Sequence, residues 1–153
     1  AQNRIIPDCI RAAYKSQEII VRNPYSIRPY QHVLEPLYVY LMIAKAQCEN
    51  IEFAGYYNVG PDECDCITTG DLVDLFCKEW GNGQAWKNVC NQGPHEAQFL
   101  KLDCSKLKNT FGWGPRWQIT EAVVKTVEWA KVYEQNDSIV DCMEKQIRLF
   151  MLG

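Results

Sequence analysis

The chain has 153 residues, 47% of them apolar and 23% charged, enough for one domain with its own core and too few for two full ones. Its formal net charge of −3 gives no general attraction to nucleic acid or to an anionic membrane surface, so neither is an expected partner. No stretch approaches the ~18 consecutive apolar residues of a membrane span.

The N-terminus lacks a basic-then-apolar leader. The chain begins at Ala1 without a methionine, and a piece of a longer protein is the simplest reading. In "RIIPDCIRAAYKSQ", Ile6, Cys9, Ile10 and Ala13 recur at helical spacing, with Pro7 tolerable in the first turn. The β-branched "EIIVRN" predicts a strand over 18–22, closed by the turn chemistry of "NPYS", and a second strand follows near 27–33. Leu34, Leu37, Tyr38, Leu41, Ala44 and Cys48 mark the expected inward face of a helix entered through Glu35 and Pro36, the acid lying at the positive end of the dipole. "GYYNVGP" reads as a short strand closed by Gly60 and Pro61.

Further along, Thr68 and Asp71 stand at capping-box spacing before a helix that ends at Gly81, and "QAWKNV" predicts another strand. Asp103 is placed to cap a short helix stopping at Gly112. Two helices close the chain. Thr120 is the expected cap of the first, with Val123, Val124 and Val127 inward. Ser138 and Asp141 open the second, with Ile139, Val140, Met143 and Ile147 on its inward face. About six helices interleaved with few, scattered strands predict an α/β fold that holds part of a sheet, organised as a single domain over 1–153.

Of the eight cysteines, Cys9, Cys48, Cys77, Cys104 and Cys142 fall in helical patterns beside apolar neighbours and Cys90 ends a strand-like run, places where a free thiol behaves as a small hydrophobe. Only Cys64 and Cys66 cluster, without the paired knuckles of a zinc site, so no metal is expected and reduced thiols in a cytoplasmic setting are.

No complete catalytic constellation is present. "GNGQAW" and "GWGPRW" lack the glycines of a phosphate cradle before a helix, there is no G-x-S-x-G, and no tyrosine is followed four residues later by lysine. What remains is polar residues beside loops. Pro29 restricts the backbone at Arg28, so its guanidinium fork is either a preset phosphate grip or one half of a surface ion pair. His32 beside a helix start is a packing residue or a base, and His95 and Glu96 in "NQGPHEAQ" are solvated or contact a ligand. Asn58 in a strand-like run points at a ligand or caps a turn.

Together, "VRNPYSIRPYQHVLEPL", "YNVGPDE", "PHEAQFLKLDCSKLK" and "FGWGPRW" resemble, in order and spacing, the C-terminal part of CDP-glucose 4,6-dehydratases, which are extended short-chain dehydrogenase/reductases. The resemblance runs from residue 4 to about 130. Tyr30 stands where relatives usually have tryptophan, and Phe99 where many have tyrosine. The resemblance implies the substrate-nucleotide portion of the enzyme, lacking the main Rossmann sheet. In the parent enzyme NAD takes hydride from the sugar C4, water leaves across C5 and C6, and the hydride returns to C6. The product is the 4-keto-6-deoxy sugar nucleotide of bacterial surface-polysaccharide synthesis.

The glycine-rich loop and the Tyr/Lys pair would lie in an N-terminal Rossmann half, so this chain would bind no NAD and would be inactive alone. Arg28 would bind the diphosphate of CDP-glucose, with Arg4, Asn58, His95 and Glu96 lining the pocket and Gln31 and His32 close by. Removing the Rossmann half would leave the "YNVG" strand and the helix from Glu35 uncovered and prone to self-association. A self-standing, non-catalytic binding or assembly module is the other reading.

Overall fold

Six helices and four very short strands make up the computed structural model, which describes residues 4–89 and 99–153. Helix α1 (Ile5–Tyr14) turns Cys9 and Ala13 inward, and its last turn leads to β1 (Ile19–Val21), whose residues alternate buried, exposed, buried. Strand β2 (Ile27–Arg28) is cut short by Pro29, which has no amide hydrogen to offer a ladder, so the longer strand expected over 27–33 does not form. Helix α2 (Leu34–Glu49) follows, then β3 (Ile67–Thr68) and α3 (Thr69–Trp80). Strand β4 (Trp86–Asn88), α4 (Ser105–Phe111), α5 (Ile119–Glu134) and α6 (Ile139–Leu152) complete the chain.

The strands pair as two separate ribbons, β1 parallel to β4 and β2 antiparallel to β3. The fold is therefore α/β with few strands and, among the described residues, no main Rossmann sheet.

Most caps follow the sequence. The Thr68 hydroxyl accepts the Asp71 N–H while the Asp71 carboxylate accepts the Thr68 N–H, a complete capping box. Gly112 ends α4 with φ at 61°, the left-handed region that glycine enters without a Cβ penalty. The Asp103 carboxylate accepts the Ser105 N–H at 2.9 Å, and the Ser138 hydroxyl accepts that of Asp141. Thr120 does not cap α5, because the helix starts earlier, after Gln118.

Other expectations are overturned. "GYYNVGP" is not a strand: Asn58 and Val59 spend their polar groups on side-chain contacts described below rather than on a ladder. The inward faces of α2 and α6 are also not those the apolar spacing suggested. Helix α2 buries Glu35 and Val39 while Leu37, Leu41, Ala44 and Cys48 face outward. Helix α6 buries Cys142, Gln146 and Phe150, leaving Val140, Met143 and Ile147 exposed. Gln146 tolerates burial because its amide donates to the Lys125 carbonyl and the Glu128 carboxylate.

The main core lies between α1, α3, α5 and β1, built on Cys9, Ile19, Phe76, Val123 and Val127. Phe76 is wholly buried and stacks on Trp80 with centroids 5.5 Å apart, which is worth about 1.5–3 kcal/mol of transfer free energy. A smaller core joins α2 to α4 and the segment after it through Val39, Leu107 and Trp113. No helix among the described residues is long and apolar enough to cross a membrane.

Burial and the neighbouring Cys77 thiol push the Cys9 thiol up to about 12, whereas Cys48 and Cys64 are exposed. A thiol-specific reagent at mildly alkaline pH is expected to label Cys48 and Cys64 in the folded protein while Cys9 stays silent. Denaturation without reductant should then release close to all eight thiols. Early labelling of Cys9, or a deficit of two in the total, would count against this packing.

Candidate functional site

Arg28 is held from three directions. Its strand pairs with Ile67 and Thr68, Pro29 fixes the next backbone angle, and the Leu100 N–H donates to the Ile27 carbonyl at 3.1 Å. Its own guanidinium donates to the Ile27 carbonyl at 3.0 Å, folding the side chain back along the strand. Tyr30 places its hydroxyl 2.8 Å from the Thr69 hydroxyl, which in turn lies 2.9 Å from that of Ser26. A polar chain thus ties the 26–30 segment to the start of α3, and the phenol that replaces an indole there has its own partner.

One turn on, the Gln31 amide donates to the Val59 carbonyl at 3.2 Å, while its Oε1 is buried without a partner. The neighbouring Asn58 amide donates to the Asp103 carbonyl at 3.0 Å. The 58–59 segment is therefore strapped between the entry to α2 and the entry to α4, which brings Gln31 and Asn58 together a few residues from Arg28.

His32 is only 8% exposed. Its Nδ1 accepts the Leu34 N–H at 3.3 Å and its ring meets Trp117 edge-on with centroids 4.9 Å apart. Burial, with the Lys125 ammonium adding to it, lowers its pKa to about 4. Arg4 stands exposed at the start of α1, where its carbonyl accepts the Asp8 N–H. His95 and Glu96 lie outside the described residues; Phe99, the next described residue, bridges Ile27 beside Arg28.

The sequence gave Glu35 no role beyond the helix dipole, yet it organises the neighbourhood. Its side chain is fully buried, and Oε1 accepts the backbone N–H groups of Arg116 at 2.8 Å and Trp117 at 2.9 Å. Burial raises its pKa against the lowering effect of those two donors and of the Arg116 charge. Arg116 itself lies over Tyr38, 4.4 Å from the ring centroid, and donates to the Phe150 carbonyl. Glu35 and Arg116 thus fasten the "GPRW" loop to α2 and α6. That loop forms one wall of an open cavity of about 430 Å³ whose other walls include Asp62, Asp65, Thr120 and Glu121. A buried acid with two amide donors has no signature in a lone sequence, where it reads as a favourable first-turn glutamate.

No family model matches the chain. It is 40% identical over 152 residues to the CDP-glucose 4,6-dehydratase of Salmonella typhimurium (strain LT2). That alignment covers 99% of this chain and 42% of the relative, so the chain spans under half the length of the curated protein it matches. The UDP-N-acetylglucosamine 4-epimerase from Bacillus cereus superposes with a TM-score of 0.64 over 86% of this chain and 42% of the epimerase, at 16% identity, a likeness of fold. From one end to the other, then, this chain is similar to a part of a CDP-glucose 4,6-dehydratase, as its four motifs suggested.

Proposed function

We propose that this chain is the C-terminal, nucleotide-sugar-binding part of a cytoplasmic CDP-glucose 4,6-dehydratase, catalytically silent without the rest of that enzyme. The observation that carries the reading is 40% identity sustained over 99% of the chain. Arg28 grips the substrate diphosphate, for which a guanidinium fork held by its strand and by Pro29 is suited. Arg4, Gln31, Asn58, His95 and Glu96 complete the pocket, and His32 acts through Trp117, the ring it packs against.

The N-terminal Rossmann half supplies NAD and the proton-transfer groups, and it covers α2. That helix is apolar on both faces: Val33, Leu37 and Tyr40 are exposed and Leu41 is 73% exposed. Dehydration of CDP-glucose is thus a property of the assembled protein, with surface-polysaccharide synthesis as its setting.

The test exchanges this chain for the matching segment of the Salmonella enzyme. The chimera is expected to convert CDP-glucose with NAD to the 4-keto-6-deoxy product, and the chain alone to give none. Within the chimera, Arg28→Lys should weaken CDP-glucose binding by about 1–3 kcal/mol and CMP binding less, because lysine keeps the charge and loses the fork. A folded, inactive chimera whose isolated chain still binds CDP-glucose would favour a self-standing binding module instead. Unchanged affinity in Arg28→Lys would remove this arginine from the site.

A further inference from the structure

Helix α6 presents a second apolar row beside the one it buries. Val140, Met143, Ile147 and Met151 recur at steps of three and four residues, so they share one face over about 16 Å of helix. Val140 is 62% and Met151 55% exposed, and Met143 and Ile147 are exposed as well. Cys142, Gln146 and Phe150, the row that packs on the body of the protein, lie to one side. Along the other side the charges are ordered by sign, with Asp141 and Glu144 in the first half and Lys145 and Arg148 in the second. Glu144 and Arg148 form an exposed pair at 3.2 Å, and Lys145 reaches Glu128.

We propose that two copies of this chain pair through α6, antiparallel about a twofold axis that crosses the helix near Lys145. The row is symmetric about that point: Met143 falls opposite Ile147 of the second copy, and Val140 opposite its Met151. A twofold axis of this kind sets the same flank of each helix side by side. Arg148 then comes level with Asp141 and Glu144 of the second copy, acid facing base at both ends. A parallel pairing would oppose like to like. The apolar row supplies the adhesion, and the signed flank selects the antiparallel arrangement and a copy of the chain itself as the occupant.

Sedimentation equilibrium of the chain, from micromolar to several hundred micromolar, is expected to follow a monomer–dimer equilibrium. Ile147→Glu should loosen it on the order of a hundredfold, since it sets a charge in the apolar contact. Glu144→Arg and Arg148→Glu should each weaken it roughly tenfold through like-charge opposition, and the double exchange should restore most of the affinity. Leu41→Glu on α2 should leave it unchanged. All four substituted residues are on the surface, and circular dichroism checks that each variant folds. A strictly monomeric chain over the whole range would overturn the proposal. So would a dimer abolished by Leu41→Glu but not by Ile147→Glu, or a double exchange as weak as its single components.

Discussion

At pH 4 the protein is expected to be about 3 kcal/mol less stable than at pH 7 on account of His32 alone, with about 2 kcal/mol of that already lost by pH 5. The cause is a ring that is nearly wholly buried, packs on Trp117 and lies near the Lys125 ammonium, so that its pKa is about 4 in place of 6.5. The folded state holds the neutral ring, whereas the unfolded chain protonates it readily. The stability tied to that neutral ring is complete above 6.5 and drains away as the pH falls towards about 4. Protonation of Nδ1 would also cancel its acceptance of the Leu34 N–H. Urea midpoints between pH 7 and 5, where carboxylates titrate little, isolate the effect. His32→Asn keeps an acceptor near Nδ1 and should flatten that part of the curve while lowering its plateau. A variant curve as steep as the parent's would mean that another group carries the titration.

Glu35→Ala is expected to cost about 2–5 kcal/mol, because two interior N–H groups lose their shared acceptor and a small cavity opens. Glu35→Gln keeps an oxygen for both donors and should stay within ~1 kcal/mol of the parent at neutral pH. The same pair reads out the charge. Burial raises this carboxyl above its ordinary value of 4.5, so the folded state prefers the protonated form. Its stabilising contribution is complete below that value and is lost as the pH rises through the raised one, the opposite slope to that of His32. The glutamine variant cannot titrate there and should gain on the parent as pH climbs. Denaturant melts of the three proteins between pH 4 and 8 decide the matter. An alanine variant within ~1 kcal/mol of the parent would show that the "GPRW" loop does not depend on this carboxylate.

Those two residues also mark where sequence reading stops. Signals that act within a few residues were legible: the Thr68 and Asp71 box, the stop at Gly112 and the Ser138 cap are each written in four or five adjacent letters. The faces of α2 and α6 were not. Each carries apolar residues on two sides, and periodicity alone cannot tell which side meets the body of the molecule. The decision fell to polar side chains with distant partners, Glu35 bonded to residues 116 and 117 and Gln146 bonded to residues 125 and 128. Strand β3 was missed because two residues show no alternation, and "GYYNVGP" was over-read because Tyr and Val favour strands whether or not a neighbour exists to pair with. Of the residues assigned to the site, the neighbourhood of Arg28, Gln31 and Asn58 followed from their order in the chain. The clamp beneath the loop did not.

The two ribbons join distant parts of the chain: Ile19 pairs with Trp86, Ile27 with Thr68, and Ile27 again bridges Phe99. Helices α5 and α6, by contrast, are neighbours joined by a tight turn. Closing loops of such different lengths orders the events of folding, since the entropy lost in joining remote segments must be met before their contacts give anything back. The α5–α6 hairpin can assemble on its own early in the search, while each ribbon waits for a helical framework to bring its strands within reach. Substitutions in β1 or β4 should then quicken unfolding and leave the folding rate nearly as it was, and the segment around Arg28, bound into both late pairings of Ile27, would be among the last parts of the molecule to take shape.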